Sequence, residues 1–162
     1  MSNHVKPIPD GYRTVTPWII GRDSAGLIEF LEKAFDAVEI ARMNGEDGAI
    51  VHAEVRIGDS VVMMFDVPRG QNWPDTPACL RLYVPDADAT FAQAVAAGAT
   101  PVTEVTHLAF GDRVGRVRDP FGNLWWVQTR VEEVSEEEMN RRWSEPKWAQ
   151  AMEYVQGAKL FE

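Results

Sequence analysis

The sequence predicts an α+β protein that consists of two tandem βαβββ modules and a C-terminal helical tail. Three observations lead to this class. The pattern of a strand, a helix and three further strands occurs twice, over residues 12–66 and 78–131. A polar stretch at 67–77 (VPRGQNWPDTP) with three prolines separates the two occurrences. The last residues, 135–162, have helical spacing instead, so we expect one domain over 1–134 followed by a helical extension.

The first module begins with a strand predicted over residues 14–20, which are rich in β-branched and aromatic residues. Pro17 inside this stretch favours an edge position or a bulge, because proline cannot donate to a strand ladder. Asp23 and Ser24 are good N-cap residues for a helix over 24–35, where apolar residues recur at helical spacing. Three more strands are predicted over 38–43, 50–57 and 60–65, with glycine-containing turns between them.

The second module repeats this order. It has a strand over 79–84 and a helix over 86–97, and Gly98 is suited to the position that follows a helix. The sequence Asp-Pro-Phe-Gly at 119–122 predicts a tight turn before the final strand. The remaining strands of this module are predicted over 101–106, 114–118 and 124–130.

The tail is predicted to contain two short helices. A capping box at 135–138 (SEEE) favours a helix over 136–143, and Pro146 suits the first turn of a second one. An apolar stripe follows at i, i+4 and i+7, formed by Trp148, Met152 and Val155. A stripe this short seldom folds alone, so we expect it to pack on its own domain or on a partner subunit.

Composition excludes several classes of function. Of the 162 residues, 16 are Lys or Arg and 25 are Asp or Glu, which gives a net charge of −9. Such an acidic chain is a poor candidate for nucleic acid or for anionic membrane surfaces. The single cysteine, Cys79, excludes an internal disulfide and is expected to be a buried, inert thiol. Because no signal-like segment or membrane span is visible, a soluble cytoplasmic protein is expected.

Three stretches carry a family resemblance: VTPW at 15–18, HAEVRIGDS at 52–60, and GDR at 111–113 followed by RDPFGNLW at 118–125. Together with the two modules, they resemble the vicinal oxygen chelate superfamily of glyoxalases, bleomycin-resistance proteins and extradiol dioxygenases, and in particular its PhnB-like branch. The resemblance covers residues 9–134. It implies a curved mixed sheet around a cleft, helices on the outer face, a homodimer and a bacterial origin.

The resemblance also bears on metal binding. Metal-dependent members of this superfamily place four ligands, typically His, Glu or Gln, on the first and last strands of each module. The matching positions here hold Thr16, Val62 or Met63, Cys79 and Trp126. These side chains do not form a site for a divalent ion, since a lone thiolate is insufficient. We therefore expect neither the usual catalytic metal nor another cofactor.

Strand alternation assigns a set of side chains to the cleft. The expected ligand-binding residues are Thr16, Trp18, Arg81, Tyr83, Trp126 and Gln128. A mixture of aromatic rings and a few polar groups is typical of a small-molecule site. Trp18 and Trp126 either stack on a planar ligand or pack in the core. Arg81 needs a carboxylate if it is buried, which either Glu54 or an anionic ligand would supply.

His52 and Glu54 are the candidate catalytic residues. They share one face of the third strand with Arg56, and a histidine beside a carboxylate can act as a general base. The alternative is an ordinary row of cross-strand pairs on a sheet surface.

Three functions agree with these observations. The first is a binding protein without the usual metal, which holds a planar, partly apolar small molecule. The alternative is a lyase, isomerase or dioxygenase of the same superfamily that uses His52 and Glu54, with or without a divalent metal. The third is an interaction module whose cleft is filled by its own aromatic side chains and whose working surface is the tail stripe. Phosphate-binding glycine loops and a nucleophile elbow are absent from the sequence, so nucleotide-driven chemistry and serine hydrolysis have no support.

Overall fold

The computed structural model describes residues 5–161 of the chain. The chain forms two compact units, Met1–Ala78 and Cys79–Glu162. Each unit contains one four-stranded mixed sheet and the helix of its module, and the second unit also contains the tail helices. The predicted α+β class, the two βαβββ modules and the helical tail are therefore confirmed.

The first unit contains β1 (Trp18–Gly21), α1 (Ser24–Phe35), β2 (Val38–Asn44), β3 (Ile50–Ile57) and β4 (Ser60–Asp66). Its sheet has the order β1-β4-β3-β2, with β1 parallel to β4 and the other pairs antiparallel. Strand β1 is an edge strand, as Pro17 indicates. The prediction that it begins at residue 14 is wrong: the ladder starts only after Pro17, whose carbonyl accepts a hydrogen bond from the Met63 backbone N–H at 2.9 Å.

Helix α1 forms because an N-cap and an apolar stripe coincide. The Asp23 carboxylate accepts a hydrogen bond from the Gly26 backbone N–H at 2.9 Å, which satisfies one of the free donors of the first turn. The buried apolar residues of the helix are Leu27, Ile28, Phe30, Leu31, Ala34 and Phe35. They contact β2, β3 and β4 on one face of the sheet, where Ala53, Val55 and Met64 are fully buried. The opposite face, which carries Trp18, Met63, Phe65, His52 and Glu54, is called face A.

The second unit contains β5 (Cys79–Tyr83), α2 (Ala87–Ala96), β6 (Thr100–His107), β7 (Asp112–Arg118), β8 (Leu124–Arg130), α3 (Glu136–Trp143) and α4 (Pro146–Gln156). Its sheet repeats the first topology, with the order β5-β8-β7-β6 and β5 parallel to β8. Helix α2 lies close to β7 at Gly115, where an added Cβ would be 2.8 Å from both the Phe91 ring and a methyl group of Val105. The opposite face, which carries Arg81, Tyr83, Trp126, Gln128, Val114 and Arg116, is called face B.

The predicted turn at 119–122 is built around a buried carboxylate. Asp119 is only 4% exposed and accepts hydrogen bonds from the backbone N–H groups of Phe121 and Asn123, both at 2.9 Å. It also accepts from the Asn123 side-chain amide at 2.8 Å and from the Trp125 indole at 2.9 Å. This network fixes the start of β8, which carries Trp126 and Gln128 on face B.

The tail packs on the second unit. Trp148 and Val155 of its apolar stripe are buried, and Val155 joins a cluster with Leu108 and Val114. Trp126 packs against the same cluster, so α4 lies over part of face B. The tail is expected to pack on its own domain or on a partner subunit, and it packs on its own chain. Because Trp148 and Val155 are buried there, the stripe is not the exposed working surface that the third function requires.

Two sequence expectations concern the burial of Cys79 and the presence of membrane spans. Cys79 is exposed, contrary to the prediction of a buried thiol, because it is the first residue of an edge strand. None of the helices within residues 5–161 combines the length and the apolar character that a membrane span requires.

Candidate functional site

Face A is a mixed aromatic and polar surface formed by neighbouring strands. The strand register places Trp18, Met63 and Glu54 in one row across β1, β4 and β3. His52 lies two residues before Glu54 on β3 and therefore shares its face. Four sequence-predicted residues, including Thr16 just before β1, are thus brought together within the first unit.

A hydrogen-bonded chain of three side chains occupies this face. The His52 Nε2 atom lies 2.9 Å from Glu54 Oε1, and the Tyr12 hydroxyl donates to Glu54 Oε2. Glu54 is only 9% exposed, so these two partners satisfy a carboxylate that is largely removed from water. The sequence indicated the contact of His52 with Glu54. It gave no signal for Tyr12, which lies outside every predicted element and 42 positions from its partner.

These hydrogen bonds determine which of the side chains Glu54 and Tyr12 is charged at neutral pH. The hydrogen bond from Tyr12 lowers the pKa of Glu54, and His52 adds to this effect, although burial acts in the opposite direction. The same bond raises the pKa of Tyr12 above its ordinary value. At neutral pH, Glu54 is therefore a carboxylate and Tyr12 is a neutral donor.

The lowered pKa of Glu54 predicts an acid-dependent stability. Its folded pKa lies below the ordinary value of 4.5, so the stabilisation is complete above that pH and is lost as the pH falls below it. The wild-type protein should lose more unfolding free energy than Glu54→Gln between about pH 6 and about pH 3 in urea denaturation. Glu46→Gln, at an exposed turn of the same unit, is the control and should follow the wild type. If the unfolding free energies of the wild type and of Glu54→Gln change in parallel with pH, the pKa of Glu54 is not lowered by folding.

A cavity of about 570 Å³ adjoins this chain. Its size falls within the range of about 300–1,000 Å³ that is common for small-molecule sites. The lining residues are Pro7, Ile8, Pro9, Tyr12, Arg13, Thr14, Thr16, Glu54 and Met63. Apolar walls thus surround a carboxylate and hydroxyl groups, and the predicted residue Thr16 is among them.

Aromatic rings extend the surface beyond the cavity. Trp18 is 54% exposed, and its indole Nε1 lies 3.0 Å from the Met63 sulfur. The Trp18 and Phe65 rings are 5.2 Å apart, edge to face, and Phe65 meets Trp73 in the same way at 6.2 Å. Arg22 holds the segment of Trp73 by donating to the Trp73 carbonyl at 2.7 Å. Trp18 therefore does not pack in the core. The sequence did not predict Trp73 as its neighbour, because Trp73 lies in the proline-rich stretch between the two modules.

The predicted residues of the second module lie on face B. Arg81 pairs in register with Trp126, and Tyr83 pairs with Gln128. The buried Gln128 amide donates to the Tyr83 hydroxyl at 3.1 Å and also to Asp112, so its nitrogen has structural partners. The Arg81 guanidinium carbon is 5.3 Å from the centre of the Trp126 ring. Glu54, the proposed partner of Arg81, is instead bonded through both oxygens within the first unit.

The donor set at the superfamily's metal positions does not fit a divalent ion. Thr16 precedes β1, Met63 contacts the Trp18 indole through its sulfur, and Trp126 packs beside Arg81. Within the described part of the chain, no group of three or more His, Cys, Asp or Glu side chains is arranged to hold a metal.

Comparisons with known proteins agree with the fold. An uncharacterised protein of Mycobacterium bovis is 41% identical over 134 residues, which cover 77% of this chain and 88% of that protein. TioX from Micromonospora sp. ML1 matches 74% of this chain and 99% of its own, with a TM-score of 0.63 and 24% identity. A PhnB protein from Bacillus cereus matches 72% of this chain and 99% of its own, with a TM-score of 0.54 and 14% identity. At these identities the two structures show a shared fold alone.

A family model extends over most of the two modules. It covers residues 7–127, from the N-terminal segment that contributes Tyr12 to the middle of β8. The match includes both strand sets and the turn at 119–122, and it leaves out the helical tail. The chain belongs to the glyoxalase/bleomycin resistance protein/dioxygenase superfamily.

Proposed function

We propose that the protein binds a planar, partly apolar small molecule on face A, without a divalent metal at the superfamily's usual position. The observation that carries this proposal is the half-exposed indole of Trp18 beside the cavity at Tyr12 and Glu54. An aromatic side chain left to water next to a concave polar surface is typical of a binding site. We also infer membership of the PhnB-like branch, supported by the quoted motifs, and a cytoplasmic location, supported by the exposed thiol of Cys79.

The hydrogen-bonded side chains Tyr12, Glu54 and His52 orient a ring nitrogen of His52 as a hydrogen-bonding group on this surface. Because Glu54 is ionised, it accepts a hydrogen bond from the N–H group of His52 Nε2, and the other nitrogen of the neutral ring, Nδ1, is then an acceptor. The His52 side chain is about one third exposed, so a ligand can reach it. The expected ligand therefore combines a flat apolar ring system with a hydroxyl or N–H donor.

The test is isothermal titration with 2-naphthol as the planar probe and cyclohexanol as its non-planar counterpart. Covering half of an indole removes about 100 Å² of apolar surface, which corresponds to about 2–3 kcal/mol. Trp18→Ala should therefore weaken 2-naphthol binding by about 30–150-fold. Trp143→Ala is the matched control, because Trp143 is 46% exposed but lies on α3 of the second unit. Equal losses in both variants, or equal binding of cyclohexanol, would contradict the proposal.

The alternative function is proton transfer by His52, and the contact of His52 with Glu54 at 2.9 Å favours it. In this function His52 Nδ1 removes a proton from a bound molecule, and Glu54 orients the ring and stabilises its charged form. His52→Gln and Glu54→Gln should then abolish turnover of any substrate found, while ligand binding and folding persist. Full turnover in both variants would reject proton transfer by His52 and Glu54.

We further propose that the protein forms a homodimer. Strand β2 is an edge strand, and its side chains Val38, Ile40 and Met43 are exposed apolar groups. An uncovered apolar edge is a surface that pairs readily with another chain. Light scattering should give twice the chain mass of 18.2 kDa, and Ile40→Lys should give the monomer mass. A monomeric wild-type protein would contradict this proposal.

A further inference from the structure

Arg116 is the most unusual charged side chain of the second unit. It lies in the middle of β7 on face B and is only 6% exposed. Its Nε atom is buried and has no hydrogen-bond partner among the described residues. A buried guanidinium without a carboxylate is unfavourable, because no opposite charge compensates for the water that it has lost.

A second guanidinium lies nearby. Arg81 and Arg116 flank Trp126 on the two neighbouring strands, with guanidinium carbons 5.3 Å and 4.9 Å from the centre of its ring. Burial lowers the pKa of Arg116, and the charge of Arg81 lowers it further. The fold thus places two like charges against the same indole ring, where each disfavours the charge of the other.

Most other arginines of this unit have carboxylate partners, and Arg118 donates to the Leu160 carbonyl at 2.6 Å instead. Arg113 pairs with Asp88 at 2.7 Å, Arg130 with Asp112 at 3.0 Å, and Arg142 with Glu138 at 2.8 Å. Within residues 79–161, neither Arg81 nor Arg116 forms such a pair, although the chain as a whole carries a net charge of −9. Arg81 is exposed to solvent, whereas Arg116 is buried without a carboxylate in this unit, so the counter-ion of Arg116 is expected to come from outside the unit.

We propose that Arg81 and Arg116 form a binding site for the oxyanion, a carboxylate or a phosphate, of a small molecule. The planar fork of a guanidinium matches both groups, and the negative charge of a bound oxyanion offsets the repulsion between the two arginines. Trp126 holds both side chains in place through its ring face. The site lies wholly within the second unit, so it stands independently of the function proposed for face A.

The test is a thermal-shift titration with inorganic phosphate and with benzoate, at an ionic strength held constant with sodium chloride. Saturating probe, at about 100 times its Kd, should raise the melting temperature by about 5–10 °C. Arg116→Met and Arg81→Met should lose this shift. Arg69→Gln, at an exposed position of the first unit, should retain it.

Three further results separate a binding role from a structural one. Arg116→Met should unfold at the same temperature as the probe-free wild type or higher, because it removes an unpaired buried charge. Arg116→Lys, which keeps the charge but loses the fork, should bind the oxyanion at least about tenfold more weakly. Trp18→Ala should keep the full shift, which distinguishes this site from face A. The proposal would be overturned if sodium chloride of the same ionic strength raised the melting temperature as much as the probes do. It would also be overturned if the probes raised the melting temperature of Arg116→Met.

Discussion

Replacing Asp119 with alanine should lower the unfolding free energy by about 3–5 kcal/mol. The substitution removes a carboxylate that accepts four hydrogen bonds, and three of these, from the Asn123 backbone, the Asn123 side chain and the Trp125 indole, are buried. The Asp119 carboxylate also ties the backbone of the turn to the first residues of β8. Loss of its charge-assisted bonds therefore weakens the strand that supports face B.

Urea denaturation followed by circular dichroism measures this loss. Asp47→Ala is the matched control, because Asp47 also accepts a backbone hydrogen bond in a turn, from Ala49 at 3.1 Å, but is exposed. The control should cost less than about 1 kcal/mol. Similar losses for both variants would show that burial of the Asp119 network contributes nothing.

Gly111→Ala should be the second strongly destabilising change, by about 3 kcal/mol or more. Gly111 has a φ of +90°, and an added Cβ would lie 2.4 Å from the Glu132 carbonyl oxygen and 2.9 Å from a Val134 methyl group. The Gly111 carbonyl accepts hydrogen bonds from Val131 and Glu132, so the tail leaves the sheet at this point. A shift of the chain here disturbs the connection that places α3 and α4.

Gly122→Ala separates backbone strain from the steric clash. Gly122 has nearly the same φ, +93°, but nothing lies within 4 Å of its added Cβ. It should therefore lose only about 1–2 kcal/mol, the cost of the left-handed conformation. If thermal or urea denaturation gives equal losses for the two variants, the close approach of residues 132–134 to Gly111 is not a constraint on the fold.

Local patterns in the sequence predicted most of the elements. The bounds of α1, β3, β8 and α3 agree with prediction, because apolar periodicity and capping residues lie within each segment. Strand β1 is shorter than predicted, since Pro17 ends the ladder that the β-branched residues before it favour. Cys79 is exposed because it lies on an edge strand. Local sequence patterns do not predict this, since the order of the strands is a property of the whole sheet.

The candidate sites were only partly visible in the sequence. His52 and Glu54 are two positions apart on one strand, so strand alternation predicts that they share a face. Alternation also assigned Arg81 and Trp126 to the cleft, and the strand register pairs them. Tyr12 and Arg116 were missed for a different reason. Tyr12 reaches Glu54 from an irregular segment, and Arg116 becomes unusual only through its burial and its missing partner.

Binding of a planar molecule to face A without a divalent metal can be observed in a ¹H–¹⁵N spectrum of the tryptophan indole N–H groups. The spectrum is recorded during titration with 2-naphthol, in protein treated with a chelator. We expect a saturable shift of the Trp18 signal, assigned with Trp18→Ala, while the Trp143 signal stays unchanged. A Trp18 signal that does not respond, or that responds only after Zn²⁺ or Ni²⁺ is added, would contradict it.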